Sequence, residues 1–304
     1  MELRHLRYFV TVAEEGHITR AAERLKIQQP PLSRLIQRVE RELGAQLFRR
    51  KARGVEMTNA GRAFCERARS LLADLDRALD ATRRTARGEQ GEISVGMTPT
   101  IAFHPLVPRI FRTYRDTFPL ISLTLQQSPS SVLVEDLRSE RIDAAFIRSV
   151  SPHPAGLTAE VLLDEPLVVA LPSRHKLAQT PDDTAIPVKA LATERFIIQR
   201  RQSGLAGYDA TIAACHAAGF TPIVGQEVPR IASALSFVSA ELGVCFVPTS
   251  LQRMQMEGVV YRRLKGKRTP SIPVTLASRR GDPSPVVRNF LKLAKKAARE
   301  FCAL

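Results

Sequence analysis

The sequence predicts a multidomain α+β protein, with a winged helix-turn-helix at the N-terminus, a long helix after it and an α/β region over the rest of the chain. Three observations predict this fold class. Apolar residues recur at every third or fourth position between Leu3 and Val39, as in short amphipathic helices. No proline or glycine interrupts the stretch between Arg62 and Arg87. From Glu92 onwards, short apolar stretches alternate with helical patterns, as in βαβ units.

Composition limits the class of protein. The chain has 304 residues, which is room for two or three domains, and a net charge of +15 that favours nucleic acid as a partner. No apolar run is long enough to span a membrane, and Met1–His5 begins no apolar signal core, so we expect a cytoplasmic protein with no membrane partner. The basic residues near the C-terminus have a simpler alternative, an ordinary solvated helix face; they are Lys292, Lys295, Lys296 and Arg299.

The first three helices form the helix-turn-helix. Residues 3–15 are predicted as a helix that ends at Gly16, and two helices follow, joined by a turn at residues 26–29. Pro30 and Pro31 suit the first turn of the second of these, where a missing N–H costs little. Its outward side chains can donate to base edges and phosphates in a major groove. They are Gln29, Ser33, Arg34, Gln37 and Arg38.

A wing is predicted next. Residues 49–54 read Arg-Arg-Lys-Ala-Arg-Gly and are expected to form a basic loop, from which residues 55–58 return as a short strand. A basic loop alone is weak evidence of function, but directly after a helix-turn-helix its cations are well placed for phosphates or a minor groove.

The long helix is predicted over residues 60–87, with Thr58 or Asn59 as its cap. At about 1.5 Å per residue it is roughly 40 Å long. Its narrow apolar stripe predicts a dimeric coiled coil, and the alternative is packing against its own chain. Gly88 and Gly91 then indicate a domain boundary or hinge.

The α/β region is expected to contain largely parallel sheets covered by helices. There are too many residues for one five-stranded sheet, so we expect two sheets with crossing connections near residues 164 and 268. The extended segment 157–171 is expected to break at Asp164-Glu165-Pro166. Ligands of such sheets bind at the carboxyl ends of strands and at helix N-termini.

Motifs typical of enzymes and cofactor sites are missing. The sequence has no G-x-G-x-x-G after a strand, no Walker lysine loop, no G-x-S-x-G, no H-E-x-x-H and no C-x-x-C. The six histidines show no metal spacing, and Cys215 and Cys245 are more easily explained as small buried hydrophobes than as a redox pair. We therefore expect no catalytic activity, no metal and no cofactor.

Three hydroxyl-bearing loops at predicted helix starts favour an anion site. They contain Thr98 and Thr100, then Ser128 and Ser130, and finally the segment from Ser203 to Tyr208. Each loop alone is explained by helix capping, but three together on an α/β scaffold favour a carboxylate ligand. Arg148, just after a predicted buried strand, would add a full positive charge.

Several motifs together resemble the LysR-type transcriptional regulators, over the whole length and most strongly over residues 1–61. These are the opening MELRHLRYF, TRAAERL at 19–25, QPPLSR at 29–34, LG at 43–44, LFRR at 47–50 and TNAG at 58–61. The Pro30-Pro31 pair and the segment RIDA at 141–144 look most like the branch that controls aromatic-compound catabolism.

The resemblance implies a winged helix-turn-helix over residues 1–58, a dimerising linker helix over 59–90 and a periplasmic-binding-protein-like effector domain over 91–304. That domain would have a subdomain I of about 91–163 plus 269–304 and a subdomain II of about 164–268. The family also implies double-stranded promoter DNA, a small-molecule co-inducer, a homodimer through the linker helix and a homotetramer as partners. The expected DNA-binding residues are Thr19, Arg20, Gln28, Gln29, Pro30, Pro31, Ser33, Arg34, Gln37, Arg38, Arg50 and Arg53. The expected effector-binding residues are Thr98, Thr100, Ser128, Ser130, Arg148, Ser203 and Tyr208.

Two departures and two alternatives remain at this point. The family usually has serine at the positions of His17 and Gln28, so the cap of each helix is in question, and the effector loops vary too widely for a ligand to be transferred. One alternative is an α/β solute-binding protein or enzyme with an accessory DNA-binding module. The other is a DNA-binding regulator that responds to no ligand.

Overall fold

A computed structural model describes residues 1–148, 156–181, 184–266 and 268–303. The chain forms two compact units, Met1–Arg84 and Thr85–Leu304. No helix in the described ranges is long and apolar enough to cross a membrane.

The N-terminal unit contains three short helices, a hairpin and most of a long helix. These are α1 (Leu3–Glu15), α2 (Ile18–Arg24), α3 (Gln29–Leu43), β1 (Phe48–Lys51), β2 (Gly54–Met57) and α4 (Asn59–Arg87). Their apolar faces meet in one core, as the three-and-four spacing predicts. Its buried members include Phe9, Val12, Ala21, Leu32, Val39 and Leu47.

The starts of α2 and α3 lack the capping serines that the family usually has, and the two helices begin in different ways. His17 caps α2, because its Nδ1 accepts a hydrogen bond from the Thr19 backbone N–H at 3.2 Å. Gln28 makes no side-chain cap, and α3 instead carries proline in its first turn. Thr58 caps α4 as predicted, since its Oγ1 accepts from the Gly61 N–H at 2.9 Å.

The wing differs from the predicted basic loop. Arg49, Arg50 and Lys51 belong to β1, and the turn itself is only Ala52-Arg53. Charged side chains hid the strand because both of its faces lie near the surface, so no apolar alternation marks it. Gly54 is required there, since a Cβ at this position would lie 2.2 Å from the Gly16 carbonyl oxygen.

Beyond Ala68, the apolar stripe of α4 contains no buried residue within the described part of the chain. Its last buried residue is Ala68, and beyond it Leu71 and Leu79 are exposed while Leu75 is half-buried. Within the N-terminal unit, this part of the stripe is therefore not buried in the core.

The second unit alternates strands and helices. Its elements are β3 (Gln90–Met97), α5 (Leu106–Thr117), β4 (Leu120–Gln127), α6 (Ser130–Arg138), β5 (Ala144–Ile147), β6 (Leu157–Pro172), β7 (Ile186–Pro187), β8 (Arg195–Gln199), α7 (Leu205–Ala217), β9 (Ile223–Val228), α8 (Ile231–Ser239), β10 (Cys245–Pro248), β11 (Val259–Lys265), β12 (Ser271–Arg279) and α9 (Pro285–Cys302). Single 3-10 turns lie at Ile101–Phe103, Lys176–Gln179, Val188–Leu191 and Thr249–Met254.

The sheets are mixed, so the prediction of largely parallel sheets is wrong. The main sheet has the order β4-β3-β5-β12-β6-β11-β7, with β10 also paired to β6, and β8 pairs with β9 separately. β3 lies parallel to β4 and β5, but β12 runs antiparallel to β5 and β6, and β6 runs antiparallel to β10 and β11. The antiparallel pairs arise where the chain passes into the second half of the unit and returns.

β6 is continuous where a break was expected, and it joins two halves with separate cores. Its residues 157–166 pair with β12, and residues 167–172 pair with β10 and β11. Pairing with β12 holds Glu165 and Pro166 in the strand, opposite Ile272 and Ser271. The first half packs around residues such as Ile93, Phe146 and Phe290. The second half packs around residues such as Leu171, Phe196 and Phe246.

Candidate functional site

The outward face of α3 is polar and exposed. Leu32, Ile36 and Val39 are buried, which turns the opposite side of the helix to solvent. Most of the predicted contact residues lie on that side, and Ser33 is half-buried. The exposed ones are Gln28, Gln29, Pro30, Pro31, Arg34, Gln37 and Arg38.

The arginines around this face differ in whether their guanidinium groups already form ion pairs or hydrogen bonds. The Nε atom of Arg38 lies 3.2 Å from Glu42, and Arg20 donates to the Glu15 carbonyl oxygen. Arg34 forms no ion pair or side-chain hydrogen bond within the described residues, and it is exposed. Arg34 is therefore the helix cation best placed to donate both arms of its guanidinium to a base edge.

The wing and the start of α2 add further donors. Arg50 and Arg53 are exposed and lie on and just after β1, whereas the neighbouring Lys51 is held 2.9 Å from Glu56. Thr19 is exposed in the first turn of α2. In the described part of the N-terminal unit, exposed donors thus occur on α2, α3 and the wing.

A cleft of about 1470 Å³ lies between the two halves of the second unit. Three helix starts line it, namely those of α6, α7 and α8. Helix N-termini present free N–H groups and a partial positive charge. Six predicted effector residues line this cleft: Thr98, Thr100, Ser128, Ser130, Arg148 and Ser203.

Tyr208 is not among the residues lining the cleft, so its assignment is corrected. α7 begins at Leu205, and its first turn directs Tyr208 against the apolar core of the second half. The sequence places Tyr208 at the end of the loop before this helix, whereas the residue lies within the helix, and the rotation of the helix decides its direction.

The positive charge of Arg148 is already paired with an acid. This corrects the expectation that Arg148 adds a full positive charge to the cleft. Its Nη2 lies 2.5 Å from Glu165 Oε2, and both side chains are buried, with relative exposures of 6% and 3%. Its Nε donates to Thr100 Oγ1 at 2.9 Å. Burial lowers the pKa of Arg148, and the nearby Glu165 carboxylate opposes that shift. The pair as a whole is electrically neutral.

Three other arginines line the cleft and were not predicted from the sequence. Arg138 lies 3.7 Å from Glu135, and Arg201 lies 3.1 Å from Asp209. Arg230 directly precedes α8 without a side-chain hydrogen bond to the helix start, and it forms no ion pair within the part of the chain that the structure describes. All three line the cleft, which contains Asp209 as a lining acid. Arg138 ends α6 and Arg230 directly precedes α8, so their positions at helix boundaries were an available sequence signal, whereas Arg201 lies four residues before α7.

His104 lies behind the Arg148 pair. Burial is the largest cause that lowers its pKa, and Arg148 adds to this while Glu165 opposes it. Its Nδ1 accepts from the Leu106 backbone N–H at 3.3 Å, and its ring lies 5.4 Å from that of Phe301. His104 is therefore a neutral packing residue at pH 7.

The cysteines form no redox pair. Cys215 and Cys245 lie in separate apolar clusters on opposite faces of β10. Burial raises the pKa of each thiol to about 12. Among the described residues, no group of three or more histidine, cysteine and acidic side chains is arranged to hold a metal.

Thiol labelling should follow this burial. In the native chain, iodoacetamide at pH 8 should modify the exposed Cys302 first, and Cys215 and Cys245 at least roughly 100-fold more slowly, because the thiolate reacts and is scarce when the pKa is high. Peptide mass spectrometry at several times measures the three rates, and unfolded chain is the control. Rapid labelling of Cys245 would contradict its placement.

Known proteins match the chain over nearly its whole length. The lysR-family model of bacterial regulatory helix-turn-helix proteins matches residues 3–62, and the LysR substrate binding domain matches residues 86–299. The HTH-type transcriptional regulator CatR of Pseudomonas putida is 36% identical, covering 98% of this chain and 100% of CatR. AlsR of Bacillus subtilis (strain 168), another such regulator, is 34% identical, covering 97% of this chain and 95% of AlsR.

Solved structures agree with this likeness. Full-length CbnR complexed with its target DNA superposes with a TM-score of 0.81 at 28% identity, covering 98% of this chain and 100% of that one. The predicted fold class and the expectation of a regulator rather than an enzyme are thereby confirmed. The chain belongs to the LysR family of bacterial transcriptional regulators.

Proposed function

We propose that the chain regulates transcription by binding specific promoter DNA through α3 and the wing, in response to a small carboxylate-bearing effector held in the cleft. The observation that carries the effector assignment is the convergence of three helix N-termini, hydroxyl side chains and arginines on one cavity. Such a lining favours anions. The resemblance of Pro30-Pro31 and residues 141–144 to the branch that controls aromatic-compound catabolism suggests an aromatic-derived acid.

The DNA-contacting residues are proposed from the exposed face of α3 and its neighbours. Arg34 is the principal base-reading residue, with glutamines and prolines beside it along the helix start. Arg50 and Arg53 of the wing and Thr19 and Arg20 of α2 bind phosphates, which position the helix without reading sequence.

The assembly is proposed to be a homodimer through α4, and a tetramer made of two such dimers. The exposed Leu71 and Leu79 and the half-buried Leu75 support this, because they are four residues apart on one stripe and none of them is buried. We keep the division into residues 1–58, 59–90 and 91–304, with α4 as the linker. A regulator of promoter DNA works where that DNA lies, so we place it in the cytoplasm.

Thr100→Val tests the effector site. The change removes the hydroxyl that accepts from Arg148 Nε while keeping the side-chain shape, so ligand response should be lost and DNA affinity kept. A thermal-shift screen with small aromatic and dicarboxylic acids, followed by DNA-binding titrations, measures both properties. Val134→Thr, at another lining position, is the control.

Two outcomes would change the proposal. A Thr100→Val chain that responds normally would place the effector elsewhere. A wild-type chain that shows no shift with any acid would favour the alternative of a ligand-independent regulator.

A further inference from the structure

Glu165 is a buried acid at the point where the two halves of the second unit meet, and no motif in the sequence singled it out. It lies on β6, the strand that runs through both halves. Its Oε2 accepts from Arg148 of the first half at 2.5 Å, and its Oε1 accepts from the Ser250 backbone N–H of the second half at 2.7 Å. One carboxylate therefore holds a donor from each side of the cleft.

Buried polar atoms of the two partners of this carboxylate, and one atom of the cleft lining, still lack hydrogen bonds among the described residues. Within the described residues, Arg148 Nη1, Thr98 Oγ1 and Ser250 Oγ are buried without a hydrogen bond. Arg148 and Thr98 line the cleft. An unpaired buried donor costs about 1–3 kcal/mol, so a ligand oxygen that accepts from it is favoured. The Arg148 guanidinium thus has one arm held by Glu165 and another without an acceptor.

We propose that Glu165 is the residue that determines which ligand charge the cleft accepts, by competing with the anionic group of the effector for Arg148. While Glu165 offsets the arginine charge, a neutral carbonyl oxygen and a carboxylate oxygen differ little in their attraction to Nη1. A carboxylate gains a large advantage only when the guanidinium turns from Glu165 towards the ligand. This inference deepens the proposed effector role and rests on it.

The same competition connects the ligand to the second half. Thr249 Oγ1 donates to the Pro166 carbonyl oxygen at 2.7 Å, directly beside the bond from Ser250 to Glu165. A ligand that draws Arg148 away leaves Glu165 with Ser250 as its remaining partner among those described. The balance of bonds across the boundary between the halves then depends on the charge of the ligand.

Glu165→Gln tests the proposal in the full-length chain. Glutamine keeps the size of the side chain and an oxygen for the Ser250 N–H, but it no longer offsets Arg148. The probes are matched acid and amide pairs, benzoate with benzamide and succinate with succinamide, titrated by calorimetry. The ratio of acid affinity to amide affinity should rise about tenfold in the variant. A merely structural role would weaken both members of a pair equally and leave the ratio unchanged.

Two further variants keep the test decisive. Glu160→Gln removes a half-buried acid of the same strand that pairs with Lys295, and its ratio should match wild type. Glu165→Asp serves as the test variant if Glu165→Gln does not fold. It weakens the contact with Arg148 while keeping the charge, so it should raise the ratio of acid affinity to amide affinity by a smaller amount. An unchanged ratio in a folded Glu165 variant overturns only the proposed role of Glu165 and leaves the effector assignment in place. Failure of wild type to bind every probe overturns the effector assignment for this ligand class, and the inference with it.

Discussion

Replacing Arg148 by methionine should lower the free energy of unfolding of the second unit by about 3–5 kcal/mol, because it leaves the Glu165 carboxylate buried without its counter-charge. Urea unfolding of the full-length chain at pH 7 measures the loss.

Two controls separate this charge effect from simple loss of packing. Arg138→Met removes a more exposed arginine from the same cleft and should cost less than about 1 kcal/mol. The double change Arg148→Met with Glu165→Met removes both charges and should recover most of the stability. A single variant as stable as wild type would show that the pair is not buried.

Arg34→Ala should weaken binding to the operator by about 1–3 kcal/mol, which is roughly 5-fold to 150-fold, at fixed salt. Arg34 is exposed in the first half of α3 and forms no ion pair or side-chain hydrogen bond within the described residues, so its removal should cost binding and little stability. Fluorescence anisotropy with a labelled operator and with a scrambled duplex measures the loss of specific affinity.

Arg41→Ala is the matched control for this variant. Arg41 is also an exposed arginine of α3, but it lies in the last turn, away from the helix start that enters a major groove in this motif. It should change specific and non-specific affinity alike, by a small factor. Unchanged operator affinity in Arg34→Ala would mean that α3 is not the recognition helix as assigned.

Local patterns predicted the N-terminal unit well, because its core is built from neighbours three and four residues apart. The period that buries Leu32, Ile36 and Val39 also fixes which side of α3 faces outward. The first strand of the wing escaped prediction because its charged residues carry no alternation. Rotation of α7 about its axis, which decides the direction of Tyr208, is likewise invisible in the sequence.

Contacts between distant residues account for what was missed in the second unit. Asp164-Glu165-Pro166 has the composition of a turn, yet pairing with β12, more than 100 residues later, keeps it extended. Glu165 meets Arg148 across 17 residues and Ser250 across 85. The loops that line the cleft could be predicted from their hydroxyls, but the neutralised charge of Arg148 depends on a partner that only the fold brings near.

The central claim is that this chain recognises particular DNA sequences through α3. The most direct test mixes the purified full-length protein with fragmented genomic DNA from its own source, in the presence of excess non-specific duplex. The DNA fragments that the protein retains are then sequenced. Wild type should retain a small set of fragments that share paired half-sites, and Arg34→Ala should lose that enrichment while still binding DNA at low salt. Even coverage of the genome by wild type, or the same enriched set with Arg34→Ala, would contradict the account.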